Sequence, residues 1–329
     1  MAAPLFDMGY TFGAFLLAVI VSSCLYGVMC LQTWYYFRNY NDRLLLRGIV
    51  LAILALETIH ITLAIHAIYH YLILNFGNPF ALVEEVWSAI ATIPATVLIT
   101  TIVHLFYAAR IYQLSHQRDW WTPTIVCILK AIEFALTITV TINAARVRFY
   151  IAIAENERVM TMAIAGFASA VANDIVCAVA LSYYLHTSRS GIKSTDTLIN
   201  KLIAYAIHNG ALTSLTSISI VVLIAPKPKN LVYFSMFEVI GNLYANSLLS
   251  TLNSRKSHAN SRVSLPVTVD SSNQSLGTLR TRHGSMSTTH VPETRNMDLS
   301  KLLIEPLPKM HLDGQDVELL EMKIRSGRR

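Results

Sequence analysis

Seven stretches of this chain are apolar enough, and long enough, to cross a lipid bilayer as helices. They run over Phe12–Trp34, Ile49–Leu74, Trp87–Ile111, Thr122–Ala144, Val159–Tyr184, Leu198–Ile224 and Leu231–Leu252. A hydrocarbon core about 30 Å thick needs about 20 helical residues rising about 1.5 Å each, and every stretch reaches that length. Charged residues make up 14% of the 329 and hydrophobic ones 53%, whereas soluble domains carry about 25% charged residues. A soluble fold of this length could not enclose so much apolar surface. The predicted fold class is therefore all-α: an integral membrane bundle of seven transmembrane helices over 12–252. A short lumenal or extracellular N-terminus precedes it at 1–11, and a disordered cytoplasmic tail follows at 253–329.

Charge sets the orientation. With the N-terminus outside, the cytoplasmic connections and tail hold Arg38, Arg43, Arg47, Arg110, Arg118, Arg189, Lys193, Lys201, Arg255, Lys256 and Arg262. The opposite side holds Arg146, Arg148, Arg158, Lys227 and Lys229. Eleven against five predicts N-out and C-in by the positive-inside rule. Met1–Thr11 has no Lys or Arg and one acid, Asp7, which is wrong for a cleavable leader, so the first span reads as a retained helix. The net charge of +6 lies in loops and tail. It points to the lipid bilayer and its anionic headgroups as partners, and no nucleic-acid motif is present. All four cysteines fall inside spans, so no loop disulfide framework and no tail palmitoylation are expected. The tail is rich in Ser and Thr and too polar to offset chain entropy by burial. Its sequon Asn273-Gln274-Ser275 lies on the cytoplasmic side and is expected to stay unglycosylated.

Ionisable groups inside a span cost about 2.5–3.5 kcal/mol each on insertion scales, so they face the bundle interior. Here they are Glu57 and His60 in the second span, His104 in the third, and Lys130 and Glu133 in the fourth. Asn173 and Asp174 lie in the fifth, His208 and Asn209 in the sixth, and Glu238, Asn242 and Asn246 in the seventh. Glu57/His60 and Lys130/Glu133 are i,i+3 pairs on one helix face. Helical rise places Glu57, Lys130 and His208 about 12–14 Å deep, with Asp174 and Asn242 near mid-depth. One shared polar layer is the expectation, serving as a ligand pocket, ion path or switch, or as interhelical polar glue. His66 and His70 have metal-ligand i,i+4 spacing, and Glu84 or Glu85 could complete a zinc set. Tyr and His at a span end more often sit at the headgroup boundary, so no metal or cofactor is expected. Pro94 predicts a kink in the third span. Thr195 or Asp196 predicts a cap at the start of the sixth.

Familiar receptor signatures are missing. The third span ends Ala108-Ala109-Arg110 without an acid before the arginine, and no Pro follows Asn246. The last span has no lysine for a retinal Schiff base. Soluble-enzyme motifs are absent, so no enzymatic activity is expected.

Two segments carry a resemblance. Thr195-Asp196-Thr197-Leu198-Ile199-Asn200-Lys201-Leu202 runs into His208-Asn209-Gly210-Ala211-Leu212-Thr213-Ser214-Leu215. Later comes Leu243-Tyr244-Ala245-Asn246-Ser247-Leu248-Leu249-Ser250-Thr251-Leu252-Asn253-Ser254-Arg255. With Leu25-Tyr26-Gly27-Val28, Gln32–Phe37 and His66-Ala67-Ile68-Tyr69, these resemble the signature blocks of a fungal multispan family, domain of unknown function 6534. The resemblance covers about 10–255. It implies an integral membrane protein of mushroom-forming fungi and supplies no activity. The family pattern reads Asn-Thr-Gly where this chain has His208-Asn209-Gly210, so it assigns His208 no role.

The residues themselves suggest a receptor-like or sensor-like seven-helix protein taking a small ligand or cytoplasmic partner. A transporter or channel using Glu57, Glu133, Asp174 and Glu238 is the alternative, and a metal-dependent membrane enzyme is the third.

Overall fold

Lipid offers no partner to a backbone N–H or C=O, so apolar segments of this length satisfy themselves as helices. The computed structural model describes residues 8–78, 84–147, 149–189, 193–225 and 232–254. It contains α1 (Met8–Asn39), α2 (Leu44–Tyr69), α3 (Trp87–Leu114), α4 (Trp121–Val147), α5 (Tyr150–Glu155), α6 (Glu157–Thr187), α7 (Lys193–Ile224) and α8 (Val232–Asn253). α1, α2, α3, α4, α6 and α7 overrun the predicted spans at one or both ends, while α8 matches its span to within one residue. Among the described residues, six of them, α1 to α4, α6 and α7, are long and apolar enough to cross a membrane. The chain is thus a multi-pass membrane bundle. α8, the expected seventh span, is not among the six; it carries Glu238, Asn242, Asn246 and Asn253. The tail lies outside the described residues.

The helices close a ring. α1 packs on α2 and α8, α6 on α4 and α7, and α7 on α8, while α3 touches α2, α4, α6 and α8. Large apolar side chains such as Leu17, Leu31, Leu51, Val179, Leu215 and Val222 point outward, as lipid-facing residues do. Gly210 lets α7 approach α6: a Cβ there would lie 3.0 Å from the Ala178 Cβ.

Connections tie the two ends. At the end where α1 begins, α2 runs on into a π-helical turn, His70–Leu74. The Tyr71 hydroxyl donates to the Glu84 carbonyl (3.0 Å) and accepts from the Val86 N–H (2.9 Å). Glu84 also makes an isolated antiparallel bridge with Phe149. The short helix α5 lies in the connection between α4 and α6. Asn156 then caps α6, accepting from the N–H groups of Arg158 (3.1 Å) and Val159 (3.4 Å). At the other end Asp119 accepts from the Thr122 N–H (3.0 Å) and hydroxyl (2.6 Å) and from Tyr184 (2.6 Å). Burial opposes ionisation of Asp119, but these donors win and hold its carboxyl below the usual range.

α3 runs from Trp87 to Leu114 with Pro94 inside it. One local expectation changes. α7 begins at Lys193, so Asp196 stands in its first turn rather than capping it; there its charge still favours the positive end of the helix dipole.

Candidate functional site

The polar side chains form three groups rather than one layer. The first surrounds Asp174. Its carboxylate accepts from the Tyr244 hydroxyl of α8 (2.8 Å to each oxygen) and the Thr213 hydroxyl of α7 (2.7 Å). His104 of α3 reaches Asp174 Oδ1 through Nε2 at 3.1 Å, while its Nδ1 faces the Thr100 carbonyl at 2.9 Å. That carbonyl only accepts, so Nδ1 donates to it, and Asp174 also takes the Ser214 hydroxyl of α7 at 3.5 Å. His104 and Asp174 thus form a buried hydrogen-bonded pair between α3 and α6. Four helices meet on one side chain.

The second group sits one turn of α3 away. Lys130 Nζ donates to the Thr100 hydroxyl (2.7 Å) and to Glu133 Oε1 (2.7 Å). Thr100 thereby touches both groups, by its hydroxyl here and by its carbonyl at His104. The other Glu133 oxygen, Oε2, is buried and has no hydrogen-bond partner among the described residues. Glu133, Thr96, Thr100, Ser217 and Tyr244 face a cavity of about 130 Å³. Apolar side chains, including Val140, Met160, Phe167, Phe237 and Ile240, make up most of its wall, and Glu85 and Tyr233 border it toward the end where α1 begins. Desolvation of the half-buried Glu85 pushes its carboxyl up to about 7. The arrangement can hold a small apolar molecule and offer its polar end one carboxylate oxygen.

The third group lies in the seam between α2 and α8. His60 Nε2 is 3.3 Å from Glu238 Oε1, and Nδ1 is 3.9 Å from Glu57 Oε2. Glu57, His60, Glu238 and Asn242 are all 0% exposed. Helical spacing puts them there. Ile53, Glu57, His60, Ala64 and Ala67 make one buried face of α2, and Glu238, Asn242, Ala245 and Leu249 one of α8.

Several residues read from the sequence fall outside these groups. His208 is exposed and does not join the polar layer. α7 turns Gly210, Thr213 and Ser217 inward, and a residue two before Gly210 points about 200° away at 100° per residue. The Asn209 side chain lies outside the described residues. Asn173 is buried without a hydrogen-bond partner for its amide among the described residues. Asn246 donates to the carbonyls of Leu25 (3.1 Å) and Asn242 (2.8 Å), which is α1–α8 glue. His66 meets the Ser88 hydroxyl at 2.8 Å and stacks near His70 and Trp87. Among the described residues no three His, Cys, Asp or Glu side chains are placed to hold a metal ion. Sequence reasoning missed Tyr244, Thr213 and Thr100. His104 carried a signal, an ionisable group in a span, without an indication of its partner.

Residues 170–257, from mid-α6 through α7 and α8, match the model of a family of unknown function, DUF6534. Neither a curated protein nor a solved structure matches the chain.

Proposed function

We propose that the chain is a seven-helix receptor or sensor, N-terminus outside and tail in the cytoplasm, with α8 as the seventh span. Its ligand is a small, mostly apolar molecule bearing one neutral hydrogen-bond donor. The observation that carries this reading is the apolar cavity with Glu133 on its wall, one of whose carboxylate oxygens, Oε2, has no hydrogen-bond partner among the described residues. Cavities of this size take molecules of roughly six to ten non-hydrogen atoms. Lys130 already balances the Glu133 charge, so a second cation adds an unpaired buried charge, whereas a hydroxyl adds a hydrogen bond. Tyr244 supports signalling: it borders the cavity and donates to Asp174, so displacing it disturbs contacts among four helices. Basic residues facing the cytoplasm bind anionic headgroups in this topology.

The test is thermal unfolding of the full chain in nanodiscs with medium-chain alcohols, alkanes of matched length and matched amines. Alcohols raise the melting temperature and alkanes do not. Glu133→Gln replaces Oε2 with an NH₂ and turns the preference from alcohols to ketones. Equal stabilisation by alkane and alcohol would count against a polar anchor. Nucleotide exchange on a panel of purified Gα subunits tests the receptor step; no acceleration on any of them removes G-protein coupling. Solute flux in proteoliposomes that disappears in Asp174→Asn would instead favour a transporter.

A further inference from the structure

The α2–α8 seam holds ionisable groups that the cavity does not use. None of Glu57, His60, Glu238 or Asn242 lines the cavity wall. The imidazole stands between two carboxylates, one facing each ring nitrogen. Both oxygens of Glu57, both of Glu238 and both amide atoms of Asn242 are buried without a hydrogen-bond partner among the described residues.

The elements around the seam supply no positive charge. α1 contributes Ser22, whose hydroxyl donates to the Glu238 backbone carbonyl (3.3 Å). α3 contributes Thr92, which lies beside Glu238 but donates to the Ala89 carbonyl (2.8 Å). It also contributes Thr96 and Ile99, which pack with the Glu57 carboxyl around Gly241 of α8. None of these four side chains titrates. Neither carboxylate makes an ion pair with Lys or Arg among the described residues; their only ion-pair contacts are with His60.

Charge can then be counted. Two ionised carboxylates and an imidazolium leave the site at −1, and a neutral ring leaves it at −2. An uncompensated buried charge costs several kcal/mol in a medium this apolar. One more positive charge brings the site to zero. A metal cation is the poorer candidate, because no three such side chains are placed to ligate one among the described residues. A proton fits. It converts one carboxylate into a carboxylic acid, which donates to Asn242 Oδ1, or to the ring once the imidazolium has passed its own proton to the other carboxylate, and so fills contacts now unmade.

We propose that Glu57, His60 and Glu238 form a proton-binding site, separate from the cavity, that holds one exchangeable proton beyond the proton shared with the imidazole. The proton belongs to the group of three rather than to one carboxyl, since the ring can accept at one nitrogen and donate at the other. Loading it closes the seam; releasing it leaves excess negative charge between α2 and α8. α8 also carries Tyr244, so the state of the seam reaches the Asp174 contacts two turns along.

Infrared difference spectroscopy of the full chain in nanodiscs, titrated by pH, reads this directly through the carbonyl stretch of a protonated carboxylic acid. The wild type shows that band at neutral pH. Glu57→Gln and Glu238→Gln each reduce or shift it, the double variant abolishes that component, and Glu85→Gln and Glu133→Gln leave it in place. Glutamine mimics the protonated acid in shape and charge, so the double variant folds. Its melting temperature loses the pH dependence contributed by the seam. A band unchanged in the double variant overturns the proposal. So does a band that sodium displaces at constant pH, which would make the site one for a metal cation. Neither result touches the cavity, which is read by alcohol binding.

Discussion

Asp174 gathers hydrogen bonds from three other helices on one buried side chain. It takes three hydroxyl donors and an imidazole from those helices. Asp174→Ala removes the acceptor these groups share in a dry interior, although Thr213 also reaches the Gly210 carbonyl (3.3 Å), and hydrogen bonds to charged groups are worth about 1.5–3 kcal/mol each. Asp174→Ala is expected to lower unfolding stability by roughly 2–4 kcal/mol, well above the about 0.6 kcal/mol of an average interhelical bond in a membrane. His208→Leu is expected to change it by less than about 0.5 kcal/mol, because that ring faces outward. Chemical denaturation in detergent micelles compares the two. Sequence reasoning found Asp174 as a buried acid because an acid in an apolar span has few other places to go. It overreached at His208 because a residue type does not reveal which way a helix is turned. Tyr244 and Thr213 stayed hidden for the converse reason: each is ordinary in a membrane helix, and only the fold shows what it touches.

At the scale of elements, helix existence was legible from apolar length, and connections were not. The 75–86 segment has no strong pattern in sequence. In the structure, the segment from Glu84 is held by the Tyr71 hydroxyl and the Glu84–Phe149 bridge. That fixing is what withdraws Glu85 from water and raises its carboxyl to about 7, against about 4.3 for a free Glu. The sign follows: a raised acid favours the fold while protonated, so this contribution is complete below about pH 4.5 and declines as pH rises through about 7. Melting temperatures measured from pH 4.5 to 8 should therefore fall through that window. Glu85→Gln should remove this part of the fall, and an unchanged profile in that variant would show that the loop is solvated.

For the whole molecule, the ring closes because α8 lies between α1 and α7 while touching α2 and α3. α8 buries Glu238, Asn242 and Tyr244 toward those neighbours, which is why a helix with this many polar residues can sit inside the bundle. If it spans, the two ends of the chain lie on opposite sides of the membrane. Endoglycosidase treatment is expected to leave the mobility of the expressed protein unchanged, with Asn273 unmodified; a mobility shift lost in Asn273→Gln would put the tail outside. The bundle class was readable from composition and span length. The division of its interior into three groups was not, since it depends on how each helix is rotated about its axis. One arrangement also bears on how the chain is made. Lys130–Glu133 and Glu57–His60 are both pairs within a single helix, so α2 and α4 each enter the bilayer with an acid beside a basic partner. Asp174 has no such companion on α6: its donors come from α3, α7 and α8. Two of those three helices follow it in the chain, so during synthesis α6 is the helix that must wait for later ones, and losing Tyr244 or Thr213 strikes biogenesis before it strikes the finished protein.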